Sequence, residues 1–72
     1  MSEKIFVKRA VYDAAQEILK GAEDYRPLSL AAKKMDACET SGDKTGYRFW
    51  AEVYNYLIQL DYLNLPVEII ES

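Results

Sequence analysis

The side chains best suited to chemistry in this chain are one thiol, Cys38, and its carboxylates; its 72 residues contain no histidine. A nucleophilic or redox thiol needs a base or a cationic neighbour to hold it as thiolate, and the usual base is missing. With one cysteine an internal disulfide is impossible, and a zinc site would need a carboxylate-rich shell around a single thiolate. Cys38 instead continues the spacing of Leu28, Ala31 and Met35, so it reads as a small apolar side chain on the buried face of a helix. The acids Asp13, Glu17, Asp24, Asp36 and Glu39 spread over helix faces and do not converge as an acid–base pair. The expectation is a protein with no catalytic residue, no metal and no cofactor, hence not an enzyme.

Those residues sit in a chain that is 50% hydrophobic and 29% charged, the balance of a folded domain. Its formal charge of −3 opposes nonspecific attraction to phosphate backbones. A basic patch from Lys4, Lys8, Arg9, Lys20, Lys33 and Lys34 is diluted by Glu3, Asp13 and Glu17, and nucleic acid is disfavoured as a partner. No apolar run approaches the roughly 18 residues of a membrane span. The opening residues place Glu3, Lys4, Lys8 and Arg9 where a signal peptide needs an apolar core, so the expected location is cytoplasmic. A chain of this length hides only about 60% of its unfolded surface. Without a disulfide or metal, self-association or a partner is the remaining source of added stability.

One domain over residues 1–72 is expected, all-α, with three helices. The first spans about residues 3–21: Val7, Ala10, Val11, Ala14, Ile18 and Ala22 recur at helical spacing, Ala15 and Leu19 widen the stripe, and Ser2 is the candidate N-cap. The β-branched and aromatic Ile5 and Phe6 leave an extended start open. Pro27 suits the first turn of a second helix over about 27–41, and Gly42 ends it. Asp43 caps a third helix over about 43–63, which Pro66 stops. Helices two and three then form an antiparallel hairpin. The tail, 64–72, has apolar residues after Pro66 that suit either a strap on its own domain or a peptide docking on another chain. The predicted core is Val11, Ala14, Ile18, Ala31, Met35, Trp50, Val53 and Leu57.

Around the hairpin turn, Gly42, Asp43, Gly46 and Trp50 have structural roles. Gly46 precedes Trp50 by four residues and offers no side chain on that stripe, allowing a close neighbour. The run from Ala37 to Leu60 resembles the pattern GD-x-x-G-x-x-x-W of small uncharacterised α-helical bacterial proteins classed as domains of unknown function. That resemblance implies a helical hairpin. A looser similarity in size and acidity, to small antiactivators of mobile genetic elements, implies a protein that binds and silences a transcriptional regulator.

The third helix is the richest source of surface. Arg48, Glu52, Asn55 and Gln59 share a polar wedge, with Trp50, Val53, Leu57 and Leu60 opposite. Two flanks remain, one with Phe49, Tyr56 and Leu63, the other with Tyr47, Tyr54, Ile58 and Tyr62. Asp61 lies at nearly the angle of Trp50, either at the domain edge or as a charge for a basic partner surface. Tyrosine combines area with a polar tip and is enriched at protein contacts. The partner-binding residues expected are therefore Tyr47, Tyr54, Ile58, Asp61 and Tyr62, in a small non-enzymatic protein-binding regulator. A structural homodimer is the alternative reading, and a DNA-binding helix-turn-helix the second.

Overall fold

The computed structural model describes residues 3–21 and 26–71. Their order is β1 (Ile5–Lys8), α1 (Arg9–Gly21), α2 (Pro27–Ser41), α3 (Lys44–Leu63) and β2 (Val67–Ile70). The expected Ser2 cap, Ala22 of the first stripe and Asp24 lie outside the described residues.

The all-α expectation is corrected at both ends. β1 and β2 form a two-stranded parallel sheet in the register Ile5↔Val67, Phe6↔Glu68, Val7↔Ile69 and Lys8↔Ile70. Helix one accordingly starts at Arg9, six residues later than Glu3. The cause is local as well as long-range. Ile5 and Val7 are β-branched and two apart, so in an extended chain both point the same way, and both are buried while Phe6 and Lys8 are exposed. The tail supplies the hydrogen bonds that make this extension stable, beginning with the Ile5 N–H to the Pro66 carbonyl at 2.9 Å.

The α2–α3 hairpin is built by its turn. Arg26 is extended (φ −66°, ψ 129°), as a residue before proline must be, and Pro27 opens α2. At the far end Gly42 is left-handed (φ 79°). Its N–H donates to the Glu39 carbonyl at 3.2 Å, and that of Asp43 to the Cys38 carbonyl at 2.8 Å, the Schellman arrangement that satisfies the last carbonyls of a helix. The Asp43 carboxylate then accepts from the Gly46 N–H at 2.9 Å and caps α3. α3 ends at Asn64, also left-handed (φ 49°), before Pro66 turns the chain toward the sheet.

The core comprises Ile5, Val7, Val11, Ala15, Ile18, Ala31, Val53, Tyr56 and Leu57. Ala15 is buried in place of Ala14, while Ala14, Met35 and Trp50 are only half-buried. Leu19, placed on the inner stripe by its spacing, is exposed. Tyr56 moves the other way: read as flank, it is 4% exposed and meets Tyr12 of α1 at a ring separation of 6.4 Å. The sheet and α1 therefore cover one flank of α3, and α2 lies along the side that carries Trp50 and Tyr54.

Candidate functional site

With Phe49, Tyr56 and the core stripe turned inward, the outward part of α3 reduces to the polar wedge, the flank of Tyr47, Tyr54, Ile58, Asp61 and Tyr62, and Leu63 at the helix end, which is 51% exposed. Tyr47 is 38% exposed and Tyr62 76%, Asp61 is exposed, and Tyr54 and Ile58 are half-buried. These five residues share an angle but not a place. At about 1.5 Å of rise per residue, Tyr47 and Tyr62 stand roughly 22 Å apart along the axis.

The flank therefore divides. Tyr47 and Tyr54 line a shallow depression with Ala32, Met35, Asp36 and Glu39 of α2. Asp61 and Tyr62 line a wider hollow of about 530 Å³, whose apolar walls include Leu19 of α1, Pro27 and Leu28 of α2, and Leu57 and Leu60 of α3. Its two charged lining residues, Arg26 and Asp61, are of opposite sign and both exposed. Of its lining only Asp61 and Tyr62 belong to the expected partner-binding residues; spacing places Leu19 and Leu28 on inward helix faces and gives no sign of their part in this hollow. α1 turns Leu19 outward because Val11, Ala15 and Ile18 already occupy its buried face.

The reactive side chains stay apart. Cys38 is a free, half-buried thiol on α2. Among the described residues no group of three or more histidine, cysteine or acidic side chains is placed to hold a metal ion. Among the described residues three acids sit in ion pairs with residues of β1 or next to it: Lys4 meets Glu68 at 3.4 Å, Lys8 meets Glu52 at 3.8 Å, and Arg9 is paired with Glu71. These pairs neutralise the N-terminal half of the basic patch read from the sequence. The Glu71 carboxylate, as hydrogen-bond acceptor and then as charge, raises the Arg9 pKa above its ordinary value. Lys34 is also occupied, its Nζ 5.7 Å from the Trp50 ring centre, where Phe49 adds an edge-on contact at 5.1 Å. Burial, and secondarily Tyr12, pushes the Tyr56 phenol above its usual range.

No helix among the described residues is long and apolar enough to cross a membrane. Comparison with family models, curated proteins and solved structures finds no match.

Proposed function

We propose that this chain is a small non-enzymatic regulator that binds a protein partner through the C-terminal half of the α3 flank. The observation that carries the reading is the hollow between Leu19 and Tyr62. Two large side chains, 42% and 76% exposed, stand beside a leucine-lined concavity, and such concave apolar places receive the anchor side chains of protein partners. The matching ligand surface is an apolar anchor flanked by one acid and one base, set against Arg26 and Asp61. The similarity to antiactivators adds that the partner is a transcriptional regulator.

Affinity capture from the source organism, followed by mass determination of the eluted complex, tests this. A single protein should be retained by the parent chain and lost with Tyr62→Asp or Leu19→Glu, while thermal unfolding of both variants stays close to that of the parent. If the parent instead doubles in mass with concentration, captures nothing, and becomes monomeric with the same substitutions, the hollow is a homodimer seam and the regulator reading falls.

A further inference from the structure

We propose that β2 exchanges between two copies of this chain, the β2 of each copy pairing with the β1 of the other, on a surface separate from the Leu19–Tyr62 hollow. What the groove along β1 takes is visible, because β2 already fills it. Val67 and Ile69 lie in register with the buried Ile5 and Val7, and the acids Glu68 and Glu71 reach Lys4 and Arg9. A second copy brings the same segment with the same complementarity. β2 runs beside β1 and α1, and none of its residues is fully buried. It is thus held by the other end of the chain and not by α3, which it follows.

The hinge is short. α3 ends at Leu63 and the Pro66 carbonyl is already bound by the Ile5 N–H, so only Asn64 and Leu65 connect the two. Leu65 precedes a proline and is extended in either arrangement. Asn64 therefore sets the direction: its left-handed backbone (φ 49°, ψ 41°) folds β2 back onto its own copy, and a change to the extended region at this one residue sends the strand outward. A tight turn with so few free residues favours exchange. Every contact of the strand pair recurs when the pair forms between copies, so the balance rests on the hinge and on the new surface that pairing buries.

That surface lies beside the hinge. An open hollow of about 640 Å³ is lined there by Glu3, Lys4, Phe6, Leu63 and Leu65, and Phe6 is 60% exposed. Three residues reach at most about 10 Å, so in an exchanged pair the end of α3 in one copy stays against the start of β1 in the other. The two hinges then cross near the two-fold axis, and the Phe6–Leu63 faces of both copies meet across it. A closed monomer leaves these two side chains in water, whereas the exchanged dimer covers them. Exchange therefore keeps the contacts of the strand pair and adds an apolar one.

Light scattering, together with isotope-filtered nuclear magnetic resonance of an equimolar mixture of ¹³C-labelled and unlabelled chains refolded together, tests the proposal. The mass should rise with concentration from one chain to two, and cross-peaks between labelled and unlabelled chains should join Ile5 to Val67 and Val7 to Ile69. Two glycines inserted between Asn64 and Leu65 let each strand reach its own β1 without a tight turn, and should weaken dimerisation about tenfold or more while the same cross-peaks persist within one chain. Leu63→Glu should weaken it as much by removing the apolar contact. A monomeric mass up to about 1 mM overturns the proposal. So does a dimer in which those cross-peaks arise only within a chain, or one that is as tight with the longer hinge. Leu19→Glu should leave the dimer intact; a dimer lost with that variant is a seam at the hollow and also overturns exchange. Capture of a partner by the hollow does not depend on Asn64, Phe6 or Leu63, so the two readings fail independently.

Discussion

Replacing Gly46 with alanine sets two effects of similar size against each other. Alanine is better than glycine inside a helix by about 1 kcal/mol, and the third residue of α3 should gain no more than that. The new Cβ, however, would lie 2.8 Å from Cys38 Sγ and 2.9 Å from Asp43 Cγ, with an Asp43 carboxylate oxygen nearer still. That carboxylate is the cap of α3, bonded to the Gly46 N–H itself. Rotating it away gives up a contribution of about 1 kcal/mol, within a range of roughly 0.5–2. Displacing the half-buried Cys38 side chain from its rotamer adds about 0.5–1.5 kcal/mol. The balance is a net loss of about 1 kcal/mol, which in a domain of this size lowers Tm by roughly 4–8 °C. Thermal and urea unfolding of the parent, Gly46→Ala, Asp43→Ala and the double variant separates the causes. Once Asp43→Ala has removed the cap, Gly46→Ala should become close to neutral. Stabilisation by Gly46→Ala alone would refute the crowding argument, and an equal cost in both backgrounds would refute the role of the cap.

Val53 has no exposed surface and is the largest fully buried side chain among the described residues; Val53→Ala should cost about 2–3 kcal/mol from lost transfer energy and the cavity left behind, read as a lower urea midpoint. The raised Tyr56 pKa means that the unfolded chain releases this proton at lower pH than the folded one, so its contribution is intact below about pH 10 and declines as pH rises through the folded value. Tyr56→Phe should flatten that alkaline decline in denaturant titrations between about pH 9 and 11. Truncation before Pro66 removes the partner of β1 together with the carbonyl that Ile5 bonds, and the Ile5 and Val7 amides should then exchange as fast as in an unstructured peptide, while the α2–α3 turn keeps the protection of the Asp43 N–H.

The helical hairpin is legible from the chain because its signals are local. Pro27, Gly42 and Asp43 each dictate backbone geometry within a few residues of themselves, and the apolar spacing of α3 fixes which side faces inward. The sheet is not legible in the same way. Val7 and Val11 are four apart, so the periodicity of α1 runs smoothly back into β1, while Ile5 and Val7 satisfy a period of two equally well. Only the tail decides between them, and Val67 is 62 positions from Ile5. The same pairing explains Tyr56: a second layer of α1 and β1 on that side of α3 cannot be inferred without knowing that the two ends meet. Of the candidate surface, the angular flank is readable from helix geometry. Its division into two hollows depends on where α2 and the end of α1 cross α3, which no spacing within α3 encodes.

The parallel sense of β1 and β2 has a mechanical consequence. Tension applied between Lys4, before the first strand, and Glu71, after the second, drags the two strands past each other along their own length. All rungs of the short ladder then bear the force together, whereas a hairpin pulled at its ends opens one rung at a time. Stretching this molecule should meet its main resistance at the outset, in shear of the clasp, with the helices unravelling at lower force once the clasp has slipped.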